Sequence, residues 1–209
     1  LREKDVNLDI AKRLSKLLKA DGIEVVMTRS TDTFISLERR VTIANNSPAD
    51  LFISIHSNAN RVRSLNGLEV YYISPNVSDS KRALYSAQHA ALNLDKSSFT
   101  QSPSLNLKAT LWDMIYTSNR AESVRLARDI CSVVDYNCDT KVIGVKGAPF
   151  YVLKGAHMPA ILIEAGFLSN LQEERLMRNP YYRQQIAESI GLGIQRYARD
   201  LTLMEASRK

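Results

Sequence analysis

The sequence predicts one α/β domain, a mostly parallel twisted sheet with helices on both faces. Three observations predict it. Two near-continuous apolar runs, Leu51-Phe52-Ile53-Ser54-Ile55 and Ala160-Ile161-Leu162-Ile163, are strand-sized and read as strands buried on both faces. Segments with helical spacing alternate with them, the order that builds a parallel sheet covered on both sides. The 209 residues suffice for one sizeable core, and no flexible stretch resembles a linker between two domains.

Val6, Ile10, Leu14, Leu17 and Leu18 space out a helix from Asp5 to Ala20, which Gly22 stops. Glu24 to Thr28 reads as a strand, Leu37 to Ala44 as a short helix, and Asn45-Asn46-Ser47-Pro48 as the turn into the strand ending at His56. After a turn at Gly67, Leu68 to Ile73 is another strand. Ala83, Leu84, Ala87, Ala91 and Leu94 share one face of a helix from Asp79 to Leu94, and the polar stretch Ser97 to Ser104 breaks that pattern. A longer helical stretch runs from Lys108 to Val134; Phe150 to Leu153 reads as a short strand and Pro159 to Glu164 as the last buried one. Asn170 with Glu173 resembles a capping box, and Asn179-Pro180 a cap plus a first-turn proline. Ile186, Ile190, Ile194, Tyr197 and Leu201 then repeat along a terminal helix that should pack on the sheet. The chain contains no internal repeat and no low-complexity tract.

The formal charge is +6, but Lys and Arg lie scattered beside Asp and Glu. No basic block is interleaved with aromatics, which excludes a nucleic-acid binder and leaves only a mild attraction to anionic polymers. Apolar stretches are too short to span a bilayer, and no charged start with an apolar core reads as a signal sequence. For an exported protein the targeting segment would lie outside this stretch. Cys131 and Cys138 lack zinc-finger spacing. On one continuous helix they would sit roughly 10 Å apart, too far for a disulfide, whereas a turn at Asp135 to Asp139 would fold Cys138 back. Their pairing stays open.

His56 and Glu164 close two buried strands, and α/β sheets bind ligands beyond the carboxyl ends of their strands, so an imidazole and a carboxylate are aimed at one rim. The alternative is an edge histidine and a helix-capping acid. Glu3 precedes Ile10, Leu14 and Leu17 on one helix face at about 100° per residue, so an acid heads the buried stripe. It equally fits an exposed acid that complements the helix dipole. Taken together, one imidazole and two carboxylates have the composition of a catalytic zinc site, in which one acid accepts the proton of a metal-bound water. That chemistry is hydrolysis. No Gly-x-Ser-x-Gly elbow and no phosphate-cradling Gly-rich loop competes with it.

Four segments carry a resemblance: Glu3-Lys4-Asp5-Val6-Asn7-Leu8, Thr28-Arg29-Ser30-Thr31-Asp32, Ser54-Ile55-His56-Ser57-Asn58-Ala59, and the stretch from Pro159 through Ile163-Glu164-Ala165-Gly166-Phe167 to Asn170. In order and spacing, along nearly the whole chain, they resemble the zinc-dependent N-acetylmuramoyl-L-alanine amidases of bacterial cell-wall turnover. The resemblance implies that Glu3 and His56 are Zn2+ ligands, that Glu164 polarises the attacking water, and that Arg29 and Asp32 position a loop beneath the site. It also implies a first strand with a further histidine ligand, expected before Leu1. His157 lies at the amino end of its strand and so at the other rim, and His89 reads as a surface residue.

Residues 1–209 are expected to form one amidase catalytic domain, with 78–140 as a helical and regulatory insertion. Leu107 to Met114 and Ala121-Glu122-Ser123 are similar to the cell-division subgroup, whose insertion blocks the metal until an activator displaces it. Between Lys81 and Ala109, however, the only acid is Asp95, and Leu92-Asn93 stands where relatives tend to have Glu-Asn, so self-inhibition is expected to be weak or absent. The implied reaction is hydrolysis of the amide between the lactyl group of N-acetylmuramic acid and L-alanine. A silent wall-binding module and a zinc carboxypeptidase using Arg29 or Arg40 are the alternatives. The implied partners are peptidoglycan and an activator protein, for a monomer exported to the periplasm or cell exterior.

Overall fold

The computed structural model describes residues 1–90 and 104–207. Seven helices and four strands follow one another there in the order α1 (Glu3–Ala20), α2 (Leu37–Asn45), β1 (Phe52–Asn58), β2 (Leu68–Ile73), α3 (Asp79–His89), α4 (Leu105–Asn137), β3 (Val142–Ala148), α5 (Tyr151–Lys154), β4 (Ala160–Phe167), α6 (Leu171–Arg178) and α7 (Pro180–Ala206). The strands form one sheet in the order β1-β4-β2-β3. β1 pairs parallel with β4 and β2 parallel with β3, while β2 runs antiparallel to β4. The sheet is therefore mixed. The expected helix from Asp79 to Leu94 is described as far as its cap at Ala90; Ala91, Leu92, Asn93, Leu94 and Asp95 lie outside the described residues.

The two faces of the sheet are covered unequally. Ile161 and Ile163 point into a core built with Val6, Ile10, Leu14 and Leu18 of α1, Leu126, Ile130 and Val134 of α4, and Ile186, Ile190 and Ile194 of α7. Gly193 makes this packing possible, since a Cβ there would meet Ile130 Cα at 2.7 Å and push α7 off α4. On the other face Phe52, Ala160 and Leu162 pack against Ala44 of α2 and Val152 and Leu153 of α5. These two short helices cover only the amino end of β1 and β4. Ala83 and Ala87 of α3 and Trp112 and Tyr116 of α4 form a separate small cluster.

Several elements depart from the sequence expectation. The run Phe150 to Leu153 is helical as α5; four apolar residues carry no period that separates strand from helix. A strand at Val142–Ala148 was not expected, because Gly144, Lys146 and Gly147 break its apolar pattern, as suits an edge strand. Glu24 to Thr28, expected as a strand, forms none and pairs with no strand among the described residues. It faces β1 across a cleft of about 1110 Å³, bordered by Ile23, Val25, Met27, Ile53 and Ile55. Asn170 does cap α6, accepting from the amides of Gln172 at 3.0 Å and Glu173 at 3.2 Å. Glu173 does not turn back to the cap; its carboxylate accepts from the buried amides of Phe167 at 2.6 Å and Gly67 at 2.9 Å. Both cysteines are free: α4 continues through Asn137, so no turn brings Cys138 back to Cys131.

Candidate active site

β1 and β4 set the site. Their register pairs His56 with Glu164, so both side chains leave the same face. It is the face of Leu162, and α2 and α5 do not cover it at this end. Both strands run past the two residues, β1 to Asn58 and β4 to Phe167, so neither closes its strand as the sequence suggested. Between these pairs the register slips by one residue: His56 faces Glu164, but Asn58 faces Phe167. The extra residue lies on β4 beside Glu164, where Gly166 adopts φ 157°, a conformation that side chains rarely tolerate. A bulge of this kind re-aims its neighbours.

Glu3 reaches the same place from the first turn of α1. Its Oε1 lies 3.0 Å from His56 Nδ1 and accepts from Asn7 Nδ2 at 3.0 Å and the Ser57 amide at 3.5 Å. The bond to His56 holds the Glu3 carboxyl below its ordinary value; burial opposes this, and the donors of Asn7 and Ser57 add to it. Of the two sequence readings of Glu3, the structure combines both: the side chain is exposed, yet it turns onto the rim. Asn7 is itself fixed, because its Oδ1 accepts from Ser57 Oγ at 2.8 Å. With that oxygen engaged, the amide nitrogen must face Glu3.

Glu164 is different. Its Oε2 is buried and has no hydrogen-bond partner. Burial pushes the carboxyl up to about 7, against the pull of His56 and with the help of the negative charges of Glu3 and Glu69. A carboxyl of this kind can hold or release a proton near neutral pH. Glu69 sits opposite it on β2, buried, ion-paired with Lys146 and accepting from Tyr71 Oη at 2.6 Å. Sequence reasoning missed this trio. The signal available was alternation, since Glu69 and Tyr71 are two residues apart in a strand and so share a face. Asn7, four residues from Glu3 on a helix, was legible in the same way.

The remaining candidates divide as follows. Arg29 donates to the Lys4 carbonyl at 2.7 Å and the Thr31 carbonyl at 3.1 Å, and Asp32 accepts from Lys4 at 2.5 Å, so both tie the loop to the start of α1. His157 stands just before β4, away from the rim, with its ring 4.5 Å from that of Trp112; burial and the charge of Arg82 push its pKa down. His89 is exposed on α3, its Nδ1 2.8 Å from the Tyr85 carbonyl. An imidazole nitrogen and a carboxylate oxygen aimed at one another, with an unpartnered carboxylate oxygen close by, are donors that suit zinc. Among the described residues no group of three His, Cys, Asp or Glu is placed to hold a metal.

No helix among the described residues is long and apolar enough to cross a membrane. The family Amidase_3, N-acetylmuramoyl-L-alanine amidase, matches residues 1–196. N-acetylmuramoyl-L-alanine amidase AmiC of Escherichia coli O6:H1 is 36% identical over 200 residues, which cover 95% of this chain and 48% of that protein. The chain thus spans about half the length of that relative. The crystal structure of an N-acetylmuramoyl-L-alanine amidase from Clostridium difficile 630 superposes with a TM-score of 0.71 at 31% identity, covering 95% of this chain and 85% of that one. The CwlD amidase of Clostridioides difficile, solved in complex with the GerS lipoprotein, does so with a TM-score of 0.71 at 26% identity, covering 94% and 86%. Family match, relatives and shared fold agree, and the chain belongs to the N-acetylmuramoyl-L-alanine amidase family.

Proposed function

We propose that this chain hydrolyses the amide between the lactyl group of N-acetylmuramic acid and L-alanine in peptidoglycan, with Glu3 and His56 as zinc ligands and Glu164 as the acid–base. The observation that carries the reading is the meeting of Glu3 and His56 at 3.0 Å on the face that also bears Glu164, whose Oε2 is buried and unpartnered. Zinc, when bound, would polarise the scissile carbonyl and acidify a water. Asn7 and Ser57 hold Glu3 in place. Glu164, with a carboxyl near neutrality, takes the proton of the attacking water and delivers it to the leaving amine. A further histidine ligand would complete the set.

Peptidoglycan lies outside the cytoplasm, so the protein acts in the periplasm or at the cell exterior. The 78–140 region is its regulatory surface, and the lipoprotein partner of CwlD supports an activator bound by this chain too. The experiment is zinc content together with hydrolysis of muramyl peptides and of free peptides, on this chain and on a form extended at its amino end. Zinc and muramyl-specific cleavage in the extended form are expected. Absence of zinc from both forms overturns the reading, and cleavage of free peptides alone replaces it with a carboxypeptidase.

A further inference from the structure

His157 lies away from the rim, in the short segment between α5 and β4, and its backbone is fixed from two sides. Its amide donates to Asn45 Oδ1 of α2 at 3.0 Å, and its carbonyl accepts from Asn119 Nδ2 of α4 at 2.9 Å. The half-buried ring rests 4.5 Å from that of Trp112 and 6.3 Å from that of Tyr116. These two residues pack with Ala83 and Ala87 in the small cluster that joins α3 to α4. Arg82 of α3 stands over the Tyr116 ring, its guanidinium carbon 3.8 Å from the centroid. It also ties α3 to the segment of His157, donating Nε to the Lys154 carbonyl at 2.9 Å and Nη2 to the Ala156 carbonyl at 3.5 Å.

The charges around this ring do not suit an imidazolium. Asp79 Oδ1 accepts from Arg82 at 2.9 Å and from Arg120 at 2.8 Å, so one carboxylate serves two guanidiniums and the group stays positive. Asp113, beside Trp112 on α4, accepts from Ser80 Oγ at 3.2 Å. From α2 the segment meets the uncharged Asn45, and Lys154, three residues back on α5, is a further cation. Of the two rings that His157 meets, Tyr116 already carries a cation on its face. A proton on His157 would therefore add a partly desolvated charge beside Arg82, with the neighbouring acids already engaged. Burial and the charge of Arg82 accordingly push its pKa down.

We propose that His157 is a pH-sensitive latch, which fastens the α3/α4 pair to the segment entering β4 while neutral and releases that pair on gaining a proton, with the main core still folded. Neither zinc nor substrate takes part, so the latch stands or falls apart from the amidase chemistry. A histidine that binds its proton less tightly in the folded state gives stability that is complete above about pH 6.5 and is lost as pH falls below it.

The test is urea unfolding of the wild type and His157→Gln at pH 7.5 and 5.5, followed by fluorescence of Trp112, the only tryptophan, and by far-UV circular dichroism. Acidification is expected to raise the unfolding constant read by Trp112 about five- to tenfold more in the wild type than in His157→Gln, since a solvated imidazole at pH 5.5 favours its charged form about tenfold. The Trp112 transition of the wild type should also move to lower urea than the dichroism transition by a gap that widens between pH 7.5 and 5.5. An equal acid-induced loss in the two proteins overturns the proposal. So does a gap in the wild type that acid leaves unchanged, an outcome that does not depend on how well the variant folds.

Discussion

Glu164 and Glu173 lie nine residues apart, and burial pushes both carboxyls up, yet they serve opposite ends. Glu173 is filled: its two oxygens accept the amides of Gly67 and Phe167, which locks the start of β2 and the end of β4 to α6. Glu164 is left with a buried oxygen that nothing donates to. The difference teaches that burial alone does not single out a carboxyl for chemistry; under the proposed function, what singles out Glu164 is burial with vacant hydrogen-bonding capacity, on the face of the sheet that the helices leave uncovered. The histidines repeat the lesson, with His56 facing a carboxylate at the open rim and His157 packed against Trp112.

The largest effect that would break this contrast is on turnover. In the zinc-loaded enzyme Glu164→Gln is expected to lower kcat about a thousandfold, with Tm held or raised because no hydrogen bond to that oxygen is lost. A Tm drop as large as that of Glu173→Ala would erase the distinction. Glu173→Ala should cost about 3 kcal/mol in urea unfolding, since two buried amides lose their acceptor. Activity measured below the melting transition should change far less than in Glu164→Gln.

The pH dependence of stability sharpens the contrast further. The carboxyl of Glu164 sits at about 7 when folded and near 4.5 as its ordinary value, so the folded state binds the proton more tightly. Its contribution is complete below about pH 4.5 and is lost as pH rises through about 7. In the presence of a chelator the wild type should lose about 2 kcal/mol relative to Glu164→Gln between pH 5 and 8. Parallel pH profiles for the two proteins would show that Glu164 is not raised. The smallest effect concerns Asn7: Asn7→Ala should weaken zinc binding about tenfold, read by chelator competition, while Tm moves by only a few degrees.

The sequence made the site legible where chemistry and pattern coincide. The buried runs that place His56 and Glu164 are apolar enough to be read as strands, and the helical period brings Glu3 to the head of α1. It hid what depends on partners across space. Glu69 reads as an ordinary polar position until β2 is laid antiparallel against β4 and sets it opposite Glu164. The bulge beside Gly166 leaves no periodic trace, because one extra residue shows only against its neighbouring strand. Glu24 to Thr28 has the composition of a strand, yet none forms there, because pairing is a property of two segments. The alternation of β3 is diluted by Gly144 and Gly147, and the short apolar run of α5 is ambiguous by length alone.

α4 belongs to two neighbourhoods. Its 33 residues extend about 50 Å, nearly twice the length of β4. Leu126, Ile130 and Val134 are sealed into the main core, whereas Trp112 and Tyr116 are buried only in the small cluster with Ala83 and Ala87 of α3. Ser123 marks the boundary, where its hydroxyl accepts the amide of Ala160 at 2.9 Å. One helix thus crosses two packing clusters. Amide exchange along it should show two plateaus of protection, and fraying of the amino-terminal half together with α3 would leave the rim of Glu3, His56 and Glu164 standing.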